Sequence, residues 1–353
     1  MQEFIAYLVK LSISLSVVYL FYQLALRRLT FYNWNRWYLL FYSLAAFIIP
    51  FININPFLER NNWQSSKVVE IIPSVAYQVK NTGLAGESVS FSLYEWVGII
   101  IAIGIVIMLG RLIMQHWSFR RILQKSTLLI DEEVKVYQVN KEIIPFSFGN
   151  AIFLNQHQHS EEELKEIIRH EFVHVKQKHT VDILCSEILC ILNWYNPFAW
   201  LIRMSIRQNL EFIADNQVIE NGLDKKQYQY MLLKVVGVSQ YSLATQFNFS
   251  SLKKRIAMMN KIKSAKFHLV KFLFILPLLA VVLLAFRNQL ERNGDSSTAQ
   301  KLTPGETTLS AQTDTVPRPA KLPKEVKSIS VNKDLVTVKL KDGKTEKYDL
   351  SKP

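Results

Sequence analysis

The sequence predicts a mainly α membrane protein: four transmembrane helices, a cytoplasmic α+β domain between the third and fourth, and a small C-terminal β module. Three observations predict it. Four stretches approach the roughly 20 apolar residues that cross a bilayer. The basic residues gather beside those stretches. Between residues 115 and 266 the pattern changes to short alternating runs followed by amphipathic helices.

The spans are read as Phe4 to Leu26, Trp37 to Ile54, Tyr94 to Met114, and "FHLVKFLFILPLLAVVLLAF" from Phe267 to Phe286. Lys10 inside the first and Arg111 near the end of the third can snorkel to an interface. The start, "MQEF", lacks the basic segment of a secretory signal peptide, so the first span is expected to stay in the chain. Residues 1–114 thus carry three spans, with a loop at 58–93; the fourth occupies 267–286.

Charge orients them. The net charge is +13, and the loop Arg27 to Arg36 holds three arginines and no acid. Arg111, Arg120, Arg121 and Lys125 lie at the end of the third span or beyond it, and "SLKKRIAMMNKIKSAK" precedes the fourth with six basic residues. The 58–93 loop is balanced. Cytoplasmic flanks collect Lys and Arg. The expected location is therefore a bacterial cytoplasmic (inner) membrane, with 115–266 in the cytoplasm and both the N-terminus and the C-terminal tail outside. Topology accounts for the basic residues, so no direct nucleic-acid contact is expected. Cys185 and Cys190, about 140° apart on a helix, read as small core residues, not as a disulfide or a metal pair.

Within 115–266, "VKVYQV" (Val134 to Val139) alternates like a strand, Pro145 and Gly149 mark a turn, and "AIFL" reads as a second strand. Ser160 and Glu163 form a capping box that should start a helix running from about Glu161 to Lys178. Val181 to Ile202 reads as two helices broken at Asn196-Pro197, followed by a helix from about Met204 to Asn221. Residues 287–325 are rich in Ser, Thr, Pro and Gln and read as a disordered linker. Residues 326–353 read as a small β-hairpin module turning at Asp342-Gly343.

The chemistry concentrates in "RHEFVHVKQKHT", Arg169 to Thr180. His170, Glu171 and His174 spell H-E-x-x-H. On a helix the two histidines lie about 40° apart after one turn, so both imidazoles can converge on one ion. Zn²⁺ lowers the pKa of a water it holds toward about 7, which lets a neighbouring carboxylate, Glu171, take its proton. Two ligands leave such a site short of the usual three. His179 lies nine residues after His170, on the opposite helix face, and no glycine breaks the helix between them. It is expected at a helix end or in solvent. Glu211 and Asp215, four apart in "NLEFIADNQ", share a face; one carboxylate could bind the metal while the other holds a ligand histidine. Arg203, Arg207 and Tyr137 are candidates for stabilising a developing oxyanion. "AIFL" is a candidate edge strand for an extended substrate, through Ala151, Ile152, Phe153 and Leu154.

Taken in order, "PFSFGNAIFLN", "EELKEIIRHEFVHVKQKHTVDIL", "NWYNPFAW", "LEFIADNQVI" and "LKKRIAMM" resemble the BlaR/MecR-type membrane metallopeptidases, relatives of the gluzincin proteases. The resemblance covers roughly residues 1–287. It implies a gluzincin-like zinc protease domain with His170, His174 and Glu211 as zinc ligands, Glu171 as catalytic base, and Asp215 supporting a ligand histidine. It also implies a sensor–transducer that cleaves a transcriptional repressor and itself. The lipid bilayer is an expected partner from the apolar spans, and a second copy of the chain is a candidate one. The penicillin-binding sensor domain of the β-lactam-sensing members is not expected. In the tail, "KDGKT" is not the K-T-G box. Two other readings stand beside the signalling protease: a constitutive protease clearing membrane proteins, and a non-enzymatic receptor or scaffold with a vestigial zinc site.

Overall fold

The computed structural model describes residues 2–61, 72, 93–237 and 242–287, and three strands between 326 and 349. Most of the 58–93 loop, the 288–325 segment and the Asp342-Gly343 turn lie outside the described residues. The chain divides into two compact units, Met1–Glu291 and Arg292–Pro353.

In the first unit, α1 (Gln2–Phe21) continues through a π turn, Tyr22–Leu26, and α2 runs from Tyr32 to Ile48. A short α3 (Asn55–Arg60) and the long α4 (Leu93–Gln124) follow. A small sheet comes next: β1 (Thr127–Asp131), β2 (Lys135–Gln138), β3 (Phe146–Phe148) and β4 (Ala151–Leu154). Then come α5 (Glu161–Lys176), α6 (His179–Leu192), α7 (Pro197–Glu220), α8 (Lys225–Gly237) and α9 (Ser242–Met259). The unit ends in α10 (Val270–Leu273) and α11 (Ile275–Ala285). The second unit holds an antiparallel sheet of β5 (Val326–Asn332), β6 (Leu335–Leu340) and β7 (Thr345–Asp349), one strand more than a hairpin.

Among the described residues, three helical stretches are long and apolar enough to cross a membrane: Glu3–Leu26, Tyr94–Gln124 and Lys266–Ala285. The second expected span is shorter than predicted. Its α2 has 17 residues and gives way to a 3₁₀ turn at Ile49–Phe51, where Pro50 brings no backbone N–H.

Two packing layers position the rest. Leu11, Leu15, Val18 and Leu26 of the first helix and Tyr38 and Leu39 of α2 bury against Ile202, Ile206 and Leu210 of α7. On the other side, Val136, Ile152 and Leu154 of the sheet cover Val175 of α5, and Ile167 and Val173 of α5 pack with Ala214, Val218 and Tyr228. Helix α5 is thus held between the sheet and α7–α8.

Two expectations change. The sheet order is β1-β2-β4-β3, so β4, the "AIFL" strand, is interior: it pairs parallel with β2 and antiparallel with β3. Its backbone is taken on both sides, and Ala151, Ile152, Phe153 and Leu154 cannot accept an added strand. The two edges belong to β1 and β3. The expected break at Asn196-Pro197 is present, with the Asn196 side chain capping α7 through the Phe198 N–H at 2.9 Å. Beyond it, however, one continuous 24-residue helix replaces the two expected pieces.

Candidate metal centre

The start of α5 follows from its sequence. Ser160 and Glu163 cap it reciprocally, and Glu161 and Glu162 fill its first turn, where the helix dipole favours acids. Near its end it presents His170 and His174 toward Glu211 of α7 and Glu171 toward Ser147 of β3. The Nε2 atoms of His170 and His174 are 3.2 Å apart. Glu211 of α7 brings Oε2 to 3.5 Å from His170 Nε2 and Oε1 to 4.0 Å from His174 Nε2. One ligand atom from each of the three residues lies within 4.8 Å of the others. Tetrahedral zinc with bonds of 2.0–2.2 Å holds its ligands about 3.3 Å apart, so two imidazoles and one carboxylate at these separations fit the ion.

Asp215 sits one turn beyond Glu211 and is 1% exposed. Its Oδ1 is 3.7 Å from His170 Nδ1, beyond a hydrogen bond, because the Tyr228 hydroxyl stands between them at 2.8 Å from each. A carboxylate can only accept, so the tyrosine donates to Asp215 and accepts from His170 Nδ1–H. Arg255 closes the other side, with Nε 2.9 Å from Asp215 Oδ2, Nη2 2.5 Å from Asp215 Oδ1, and Nη1 2.9 Å from Glu211 Oε2.

The electrostatics hold Glu211 ionised where these groups meet. Burial works against charge on Glu211, but Arg255 and the two histidines outweigh it and hold its pKa well below the usual carboxylate range. Burial likewise opposes a charged His170, yet the adjoining Glu211 carboxylate turns its net shift upward. Burial lowers His174 to about 4, keeping it neutral as a ligand must be. Glu171 is buried, and burial raises its pKa against the pull of His170 and of the Ser147 hydroxyl, which donates to Oε2 at 2.7 Å.

Helix α5 stops at Lys176 and not at Lys178, and Lys178 adopts a left-handed conformation, φ 54°. That one residue turns the chain without a glycine. His179 opens α6 as a helix-end residue, but it is not in solvent: it is 1% exposed, with Nδ1 2.8 Å from His174 Nδ1. Burial lowers its pKa to about 3.

Three further residues of the site escaped the sequence reading. Ser147 lies in a three-residue strand too short to register as one. Tyr228 carries no motif. Arg255 was legible only as part of "LKKRIAMM". The candidates Arg203 and Arg207 instead pair with Glu187 at 2.5 and 2.7 Å, and Tyr137 stacks on Phe153.

The family model described as BlaR1 peptidase M56 matches residues 3–259. The chain is 26% identical over 245 residues to the Regulatory protein BlaR1 of Staphylococcus aureus, covering 60% of this chain and 41% of that protein. It is 33% identical over 105 residues to the Regulatory protein BlaR1 of Bacillus licheniformis, covering 28% of this chain and 17% of that protein. It thus spans less than half the length of either relative. With the match extending over most of its length, this chain belongs to the BlaR1 peptidase M56 family, a family of membrane metallopeptidases.

Proposed function

We propose that the protein is a membrane-embedded zinc metalloendopeptidase that transduces a signal by cleaving a cytoplasmic regulator, itself, or both. Residues 115–266 form the protease domain in the cytoplasm. Helix α2, with the turn after it, is the second of four spans, since 17 residues is the short end of what crosses a bilayer. The arginines of the first loop and the lysines before residue 267 favour this orientation. The names of the two relatives favour a regulatory substrate, and a transcriptional repressor fits.

One observation carries the reading: a pair of imidazoles from α5 and a carboxylate from α7 meet within ligand distance of each other, with the buried Glu171 beside them. His170, His174 and Glu211 would hold the ion, and zinc bound there supplies Lewis acidity to a water and to the scissile carbonyl. Glu171 takes a proton from the attacking water and passes it to the departing amine nitrogen. Ser147 holds one oxygen of Glu171 and leaves the other to carry the proton. An extended substrate would pair along β3, which among the described residues has only β4 as a neighbour.

The test compares wild type with Glu171→Gln in native membranes. Both forms should hold one zinc, and mass spectrometry should find new protein termini in the wild type alone. A wild type without zinc, or identical termini in both, rejects the proposal.

A further inference from the structure

We propose that His179 is a positioning residue of the metal site: it accepts the Nδ1–H of His174 and thereby turns the Nε2 lone pair of His174 toward the ion. The inference rests on the zinc reading above.

The argument runs inward from Arg36 at the start of α2. A guanidinium only donates. Arg36 Nη2 lies 2.9 Å from the Gln177 carbonyl oxygen and 2.8 Å from Asp182 Oδ2, and its Nη1 lies 3.3 Å from the Gln177 side chain. The Gln177 atom facing Arg36 must therefore be the amide oxygen. The amide nitrogen points the other way and donates to Gln217 Oε1 at 2.8 Å. His179 Nε2 faces that same Gln177 oxygen at 3.3 Å, so it carries the proton. A neutral imidazole with a proton on Nε2 has a bare Nδ1. Between His179 Nδ1 and His174 Nδ1, 2.8 Å apart, the hydrogen must then come from His174. That assigns the tautomer of His174 and bares its Nε2.

The same logic holds on the other ligand. Tyr228 gives its hydrogen to Asp215, so His170 donates through Nδ1, and in the neutral ring that a metal ligand requires its Nε2 is bare as well. The two Nε2 atoms, 3.2 Å apart, thus present two lone pairs to one point. Each ligand has its own relay: His170 through Tyr228 and Asp215 to Arg255 of α9, His174 through His179 and Gln177 to Arg36 of α2. The left-handed Lys178 makes the second relay reachable, because a continuous helix would carry His179 away from His174.

The test is metal affinity of the full chain in detergent micelles, by cobalt(II) titration followed in its visible absorption and by zinc competition. His179→Phe keeps the ring and loses the acceptor; it should bind about 10- to 100-fold more weakly, the usual cost of losing a partner of a ligand histidine. His179→Asn gives up ring volume but places an amide oxygen near the position of Nδ1, and should recover most of the affinity. Gln177→Leu leaves His179 in place but frees its tautomer, and should weaken binding in the same direction. If the phenylalanine variant matches the wild type, if the phenylalanine and asparagine variants fall equally, or if Gln177→Leu has no effect, the inference is overturned. His170→Ala is the control for the reading beneath it: it should abolish binding, and tight binding by that variant would reject the zinc site itself.

Discussion

Ser147 Oγ and Glu171 Oε2 are joined by a 2.7 Å hydrogen bond between an edge strand of the sheet and the helix carrying the proposed metal ligands His170 and His174. The bond ties the proposed proton carrier to the strand proposed to line up the substrate. A hydrogen bond to a charged group contributes about 1.5–3 kcal/mol, and each 1.4 kcal/mol of barrier is tenfold in rate. Ser147→Ala should therefore slow cleavage by roughly tenfold or more while leaving the zinc content unchanged, as measured by the initial rate of product-terminus formation alongside metal analysis.

Tyr228→Phe removes a single oxygen, the one linking His170 to Asp215. His170 loses the acceptor for its Nδ1–H, and zinc affinity should fall about 10- to 100-fold. The ring still fills its fully buried place, but Asp215 and His170 lose a buried hydrogen-bond partner, so the melting temperature should also fall, by the equivalent of about 1–3 kcal/mol. A competition titration checks the first part and a thermal melt the second.

Arg255→Met has a different signature. It strands Asp215, 1% exposed, without its cation. Breaking a buried pair from one side costs about 3–5 kcal/mol. The variant should melt at lower temperature and be digested faster by an added protease, even before metal is supplied.

Gly104 predicts a contrast within one helix. A Cβ there would meet the Trp194 indole at 2.1 Å, whereas a Cβ at Gly110 meets nothing within 4 Å. Trp194 also donates to the Ile101 carbonyl at 3.2 Å. Gly104→Ala should displace the indole and lower the melting temperature in micelles; Gly110→Ala should not.

Legibility followed the range of the signal. The start of α5 was readable because a capping box and an H-E-x-x-H motif are local: every residue involved lies within one helix. Glu211 could be inferred because a two-histidine site lacks a ligand and an acid pair at helical spacing offers one. His179 was misjudged in part because helix periodicity was carried through Lys178, and nothing in the residue type announces a left-handed lysine. The edge of the sheet was misassigned for a related reason. Phe146 to Phe148 is too short to show alternation, so from sequence its partner β4 reads as the outer strand. Tyr228 and Arg255 come from helices far along the chain, and only tertiary packing selects them from the other tyrosines and arginines.

Helix α7 begins at Pro197, lies against the first two helices along Ile202, Ile206 and Leu210, and reaches Glu211 without a break. Such a rod has little slack. Sliding it by one residue's rise, about 1.5 Å, would carry the carboxylate far outside the roughly 0.2 Å tolerance of a metal–ligand bond. In the proposed enzyme, small axial shifts of the apolar helices would thus act as a throttle on the ion, with catalysis responding to the alignment of the membrane bundle before any substrate arrives.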